Sequence, residues 1–592
     1  TQQYVKLLLI EKATQDGDEM AARKAQEQSI ERKIRELRYA IALEKRLSKE
    51  KILEGYLNLA YYGAGAYGVE AAAKRYFNTT AANLTISESA MLAGLVQSPS
   101  ATDPIIYPTA AHNRKEFVLG QMKRQGYITE AEEKAALAET FDKSKVQESK
   151  KGCFQSPYPH ICEYVRRELK KLPALGDTPE ARESLLNRGG LIIKTLIDPK
   201  MQDVAEREIN KRIKPTDPVM AVTTMIQPKT GLIVAMAQSR PRQGDRKDGG
   251  TYLNFAVGKD EGGTVGFFGG STFKPFIMGA ALEKGYPASK TYDAPAKIDL
   301  SEARFPTCQG TYMAGRGSDW KVSNGGYGYG VINMVKATAS SVNTYYIQLL
   351  RDVGICETTK MAQRLGLRSA VGEDFTSPKW QIANFGLGQA EIVPLSLTES
   401  FATIANRGKR CRPRILESVT TRDGNPIEIP GTQCKQVIDP EVADAMIHLM
   451  TGPLRYGTAR GFALPRKYSQ AGKTGTGAGS TALAFAGFTP ELAGSVMFGI
   501  DREDKEFWKN RKQTMEHLRL PSGTYIRGFG ADTGRIWRAT MLAGLEGKER
   551  TRFVPPKNKY LVGERVRVPS VSGMGIDMAK QRLREAGFST FV

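Results

Sequence analysis

The 592-residue sequence contains no run of about 18 uncharged apolar residues, the length needed to cross a bilayer, so no segment of it reads as a membrane span. Its four histidines, His112, His160, His448 and His517, lie far apart, which argues against a structural zinc site and against a Ser-His-Asp hydrolase. A serine nucleophile in this chain would therefore need another base. Six cysteines include no CxxC pair, which removes the usual zinc-binding spacing. Two pairs, Cys153 with Cys162 and Cys411 with Cys434, are close enough to close short loops; each is either a disulfide, in an oxidising compartment, or two free thiols. The opening stretch TQQYVKLLLI also fails as a secretory signal. Lys6 interrupts it, Glu11 and Lys12 follow it, and it has no basic leader and no small-residue cleavage site.

What is present is ordinary globular composition, 41% hydrophobic and 25% charged, at a length that suggests three or four domains. The net charge of +22 favours polyanionic partners such as nucleic acid, anionic membrane surfaces or phosphorylated substrates. Basic and aromatic residues are not interleaved, however, and no nucleic-acid-binding signature appears.

Residues 19–60 carry helical periodicity, with Ile30, Ile34, Leu37, Ile41 and then Lys45 on one face that fades into charge. Ser48 reads as the N-cap of a second helix. A Gly, Ala and Tyr segment follows at 61–77, then a loop, SPSATDPIIYP, and another helix containing Arg114, Phe117 and Leu119. This region is almost all α. From about 130 to 188 no core period is clear, and the stretch reads as a connector or small subdomain. LIIKTLI at 191–197 then reads as a strand, DPKMQDVAEREINKRI as a helix, and VTTMIQPKTGLIVAMA as two strands joined by a turn. The end, VPSVSGMGIDMAKQRLREAGF at 568–588, reads as a short strand, a Gly turn and a helix with Ala579, Leu583 and Ala586 on one side.

Three short motifs in the mixed region carry chemistry. In GGSTFKPF, Ser271 and Lys274 are three apart, which on a helix puts both side chains on one face; at the helix start the backbone amides also face an incoming oxyanion. Alone the spacing says little, because Ser48/Lys51 and Ser318/Lys321 match it, and a capping serine beside a solvated lysine explains any single match. SVN at 341–343 lies between helical segments and offers a hydroxyl and an amide; alone it is a polar turn. KTGT at 473–476 precedes the strand-like TALAFAGF, which puts Lys473 on an edge strand. Lys229-Thr230-Gly231 repeats the KTG letters inside a predicted hairpin turn.

SxxK, SxN and KTG in that order, each in a suitable local context, form the active-site set of penicillin-binding proteins and β-lactamases. Residues 190 to about 550 therefore resemble the transpeptidase domain of a penicillin-binding protein, with further support from GLGQAEIVPLSLTESFATIANRG at 386–408. Glu54 and Asn58 in ILEGYLN match a class A β-lactamase pattern, but they precede the nucleophile by more than 200 residues, whereas that pattern belongs between the second and third motifs. RKIRE at 32–36, KILEGYLNLAYYGAGAYG at 51–68 and RKEFVL at 114–119 instead resemble motifs of the peptidoglycan glycosyltransferase domain. The two together resemble a class A, bifunctional penicillin-binding protein, and the tail resembles the first part of a PASTA module.

The resemblance implies a multidomain fold: a mostly α, lysozyme-like glycosyltransferase remnant (1–130), a linker (131–188), an α/β transpeptidase of serine β-lactamase type with an antiparallel sheet and helices (189–555), and a short α+β PASTA-like tail (556–592). It also implies roles. Ser271 would attack the carbonyl between two terminal D-alanines, Lys274 would take its proton, and Ser341 would relay a proton to the leaving amine. Asn343 would orient Lys274 and the substrate amide. Lys473, Thr474, Gly475 and Thr476 would bind the substrate, with the amides of Ser271 and Thr476 as oxyanion hole. In the glycosyltransferase region Gln2, Gln3, Lys6 and Lys33 would line the lipid II site, with Glu36 assisting pyrophosphate departure or metal binding.

Transpeptidation needs no cofactor or metal; a divalent cation such as magnesium is a candidate for glycosyl transfer. Implied partners are lipid II, nascent peptidoglycan, other cell-wall synthesis proteins and β-lactams as covalent inhibitors, at the extracytoplasmic face of a bacterial membrane. The family's EDxxFxxHxG motif does not occur here, GGSTITQQ survives only as TQQ, and the membrane anchor is missing. The expectation is that this segment alone does not polymerise lipid II. An idle peptidoglycan-binding scaffold and a basic nucleic-acid-binding protein are the alternatives.

Overall fold

The structure, a computed structural model, describes residues 1–15, 19–27, 29–147, 152–315, 320–325, 327–563 and 568–588. The chain divides into two compact units, Thr1–Ser156 and Pro157–Val592.

The described part of the first unit is helical apart from one antiparallel bridge between Tyr61 and Tyr67. Its caps are local and chemical. Ser48 accepts the Lys51 amide at the start of Lys49–Leu59, so this SxxK match is a cap. Thr85 with Glu88 and Thr129 with Glu132 form complete capping boxes. The core gathers Tyr62, Ala72, Tyr76, Leu92 and Leu95, and the buried Tyr76 hydroxyl donates to the Tyr62 carbonyl. The apolar face read from residues 30–41 is present on a helix but is not packed. The helix Ile30–Glu44 forms, but Ile30, Ile34, Leu37 and Ile41 are 47–74% exposed. Its buried positions are Glu36 and Ala40, one turn apart.

The second unit is organised by a five-stranded antiparallel sheet of β1 (Val219–Ile226), β2 (Ile233–Gln238), β3 (Ala471–Thr476), β4 (Ala482–Phe488) and β5 (Ala493–Ile500). Their order across the sheet is β3-β4-β5-β1-β2. The strand and turn expectations for 222–237 hold, and Lys229-Thr230-Gly231 forms the connecting turn. Both faces of the sheet are covered, which explains why β4 and β5 read as nearly continuous apolar runs. Along β4 the side chains alternate: Ala484, Ala486 and Phe488 enter one core, Leu483 and Phe485 the other.

The larger core holds helices α1 (Lys274–Glu283), α2 (Met334–Ser340), α3 (Asn343–Val353), α4 (Pro394–Ala405) and α5 (Pro440–Arg455). Every residue of α4 is buried, and its polar side chains are satisfied. Thr398 meets Thr224 at 2.5 Å and Ser495 at 2.6 Å, and Glu399 accepts from Arg410 at 2.7 Å. The smaller core is covered by the helices Pro199–Arg212 and Ala531–Leu545.

The stretch that lacked a clear period contains the helices Glu130–Ala138, Pro159–Lys170 and Pro179–Arg188. Among the described residues no cysteine is free. Cys411 is bonded to Cys434 as their spacing allowed; Cys153 and Cys162 are both disulfide-bonded; and Cys308–Cys356, 48 residues apart, is a bridge that spacing did not suggest. In the tail the expected strand is absent among the described residues. Its helix, Ile576–Glu585, has no buried residue, because nothing in that short stretch supplies a core.

Candidate active site

Ser271 lies in a single 3-10 turn, Gly270–Phe273, that leads directly into α1, so Ser271 and Lys274 stand on one edge of the helix start as the spacing requires. The turn is pressed against the end of β3. Gly270 has φ +54° and donates its amide to the Gly388 carbonyl at 3.1 Å; a Cβ there would come within 2.4–2.7 Å of the Thr476 backbone. This close approach sets the turn that carries Ser271 beside Thr476, where both amides were expected to serve an oxyanion. Gly388 belongs to the GLGQAE stretch singled out in the sequence without a role, and its carbonyl supplies one.

Lys274 is fully buried. Its ammonium donates to the Ser341 carbonyl at 2.6 Å, the Asn343 Oδ1 at 2.6 Å and the Ser341 Oγ at 3.2 Å, and lies 5.6 Å from the centre of the Tyr346 ring. Lys473, also fully buried, donates to the same Ser341 Oγ at 2.6 Å and to the Thr474 carbonyl at 3.0 Å. One hydroxyl therefore bridges two lysines.

Neither lysine has a carboxylate partner among the described ion pairs. Two unpaired cations in a buried site are costly, and the ordinary relief is loss of a proton. Burial, then repulsion from Lys473, hold Lys274 well below the usual lysine range. Burial lowers Lys473 to about 7.

Ser341 has a left-handed backbone, φ +58°, as the C-cap of α2. Such a conformation is uncommon for a residue with a side chain and points to a functional constraint. The chain needs it here because α2 ends and α3 begins two residues later, which turns the hydroxyl and the Asn343 amide toward Lys274 together. Lys473 and Thr474 are on the edge strand, as the sequence predicts. Thr474 Oγ1 lies 2.8 Å from Thr458 Oγ1. Thr458 was not foreseen: it follows α5 by three residues, and a lone threonine after a helix carries no distinguishing signal. Ser318 lies outside the described residues, while Lys321 is on a separate short strand, Lys321–Ser323.

In the first unit, Gln2 and Gln3 are exposed and Lys6 half-buried on the helix Gln2–Gln15. On Ile30–Glu44, Lys33 is exposed and Glu36 is buried and ion-paired with Arg32. No hydrogen bond or ion pair among the described residues joins the two sets. Lys115 of RKEFVL is buried. It donates to Ser87 Oγ at 3.2 Å and to the carbonyls of Ala136 and Glu139 at 2.9 and 2.6 Å, so it ties helices together.

A transglycosylase family model matches residues 1–123, and a penicillin binding protein transpeptidase domain model matches residues 221–514. The chain belongs to the class A penicillin-binding proteins. Similar curated members are penicillin-binding protein 2D of Bacillus subtilis, 28% identical over 94% of this chain and 71% of its own length, and penicillin-binding protein 1A of Mycobacterium tuberculosis, 30% identical over 94% and 62%. The chain thus spans about two thirds of the length of these relatives. Among solved structures, PonA1 of Mycobacterium tuberculosis in complex with penicillin V superposes with a TM-score of 0.52 at 24% identity, over 71% of this chain and 100% of that one, which shows a shared fold.

Proposed function

We propose that this penicillin-binding protein cross-links peptidoglycan by serine acyl transfer. The observation that carries the reading is the Ser341 hydroxyl set between Lys274 and Lys473, beside the turn that presents Ser271.

Neutral Lys274 takes the Ser271 proton as Oγ attacks the carbonyl between the two terminal D-alanines of a stem peptide. The oxyanion faces the Ser271 and Thr476 amides. The new Lys274 ammonium is held by the Ser341 carbonyl and Asn343 Oδ1, both at 2.6 Å. Ser341 Oγ then donates its proton to the leaving nitrogen and is reprotonated from a lysine; the C–N bond breaks, D-alanine leaves and the acyl-enzyme remains. An amine of a second stem peptide attacks that ester by the same path in reverse, its proton returning through Ser341 and Lys274 to Ser271. Charged Lys473, with Thr474 and Thr476, binds the terminal carboxylate. A β-lactam presents the same carbonyl and carboxylate pattern and acylates Ser271, which ties this chemistry to penicillin recognition.

The family model over residues 1–123 supports a second activity, lipid II polymerisation, with Gln2, Gln3, Lys6, Lys33 and Glu36 as its site residues. Glu36 is ion-paired with Arg32, and a divalent cation such as magnesium, if used in glycosyl transfer, would take this carboxylate as a ligand beside the substrate's pyrophosphate. We place the site at the extracytoplasmic face of a bacterial membrane. The disulfides Cys308–Cys356 and Cys411–Cys434 support an oxidising compartment. No helix among the described residues is long and apolar enough to cross a membrane. Release of D-alanine from a synthetic pentapeptide stem, lost in Ser271→Ala, tests the transpeptidase reading; release unchanged in that variant overturns it.

A further inference from the structure

The side-chain amide of Asn343 has two ends, and only one suits Lys274. Its Oδ1 accepts from the lysine at 2.6 Å, while its Nδ2 donates to the Ser323 carbonyl at 2.9 Å. Ser323 ends the short strand Lys321–Ser323, twenty residues upstream and outside the three active-site motifs. A carbonyl there demands a donor, so it forces the NH2 end away from the ammonium.

The next residue holds that carbonyl in place. Asn324 Oδ1 accepts the Thr344 amide at 3.0 Å, and its Nδ2 donates to Thr344 Oγ1 at 2.6 Å and to the Pro295 carbonyl at 2.9 Å. Thr344 is the second residue of α3, and its backbone amide is one of the donors left without a partner inside the helix. Val342, at the N-cap position, makes no side-chain cap. Asn324 therefore caps α3 from a different part of the chain. Its own amide donates to the Ala296 carbonyl at 3.0 Å, which fastens the turn to the neighbouring strand layer.

We infer that Asn324 is a positioning residue for acyl transfer: by capping α3 at Thr344 it sets the Ser323 carbonyl against Asn343 and so fixes which end of that amide faces Lys274. The inference rests on the proposed role of Lys274 as base. The groups that face this lysine are Lys473 from β3, Tyr346 and Asn343 from α3, and Ser341. A turned Asn343 amide would present N–H to the ammonium and disfavour the charged form.

The test is the second-order rate constant for acylation by a fluorescent penicillin, measured across roughly pH 5 to 9, in the wild-type chain, Asn324→Ala and Asn324→Asp. Asn324→Asp keeps an acceptor for the Thr344 amide but loses both donors. Expected are a drop of about tenfold in Asn324→Ala, an acid limb displaced to lower pH, and a partial recovery in Asn324→Asp. Melting temperatures measured alongside identify a merely structural role. An unchanged rate and profile in Asn324→Ala overturns the inference, as does a loss that follows the melting temperature with the acid limb unmoved. If Asn324→Ala does not fold, Asn324→Asp decides: a slowed rate with the acid limb displaced to lower pH supports the inference, and a slowed rate with the limb unmoved overturns it. Failure of the wild-type chain itself to acylate overturns the active-site reading beneath it.

Discussion

Lys473 donates a 2.6 Å hydrogen bond to Ser341 Oγ, the same oxygen that Lys274 reaches at 3.2 Å. A hydroxyl accepts two hydrogen bonds and donates one, so Ser341 can take a bond from each lysine and still hold a proton for a leaving amine. This couples two otherwise separate motifs through one atom.

Ser341→Ala removes that atom and leaves the two buried lysines, Lys274 and Lys473, facing each other without it. Acylation by penicillin is expected to slow by about 10²- to 10⁴-fold, the range for loss of a positioned acid or base. Rapid-quench labelling checks it; a change of less than threefold would show that the proton travels by another route.

The lysines also predict how stability depends on pH. Lys473 falls from 10.5 in the open chain to about 7 when folded, through burial. Between those values the unfolded chain binds more protons than the folded one, so stability rises with pH across that window and is lost as pH falls toward 7. The slope from this one group is about 1.4 kcal/mol per pH unit at most. Denaturant unfolding of wild type and Lys473→Met over the window isolates it: the wild-type curve should climb relative to the variant, and parallel curves would contradict the assignment.

Gly270→Ala tests the contact between the turn that carries Ser271 and β3. The added methyl would meet the Thr476 backbone at 2.4–2.7 Å at a position with φ +54°. A loss of about 1–3 kcal/mol is expected from the backbone conformation alone. Penicillin labelling should slow in the fraction that remains folded, because relief of the clash parts the turn from Thr476. Calorimetry and labelling on one preparation check both effects.

The Cys308–Cys356 bridge fastens the strand Arg304–Thr307 to the helix Ile355–Leu365 across a 48-residue separation that contains Ser323, Ser341 and Asn343. Replacing both cysteines by serine is expected to cost about 2–4 kcal/mol. Urea unfolding monitors it, and a midpoint equal to that of the intact chain would show that hydrogen bonds such as Cys308 N–H to Gln381 Oε1, 3.0 Å, suffice.

Much of this site was legible because its residues sit in short motifs whose spacing matches a local element. Ser271 and Lys274 share a helix edge, SVN falls at a break between helices, and KTGT precedes a strand it pairs with. The strand and turn pattern of 222–237 was equally readable, since both strands are apolar and the turn carries its own chemistry.

What escaped was set by distant contacts. Gly388, Thr458 and Asn324 act through partners more than ten residues away, and nothing in their neighbours marks them. The helix Ile30–Glu44 shows the opposite failure. Its apolar periodicity was real, yet the residues that made it are exposed, because periodicity reports a face without saying whether a partner covers it.

The most direct test of the account is the intact mass of the chain after incubation with penicillin. The wild-type protein is predicted to gain one penicillin mass per chain, on the peptide containing Ser271, and Ser271→Ala to gain none. Acquisition of the same adduct by Ser271→Ala, or no adduct on the wild-type chain, would contradict the assignment of Ser271 as nucleophile.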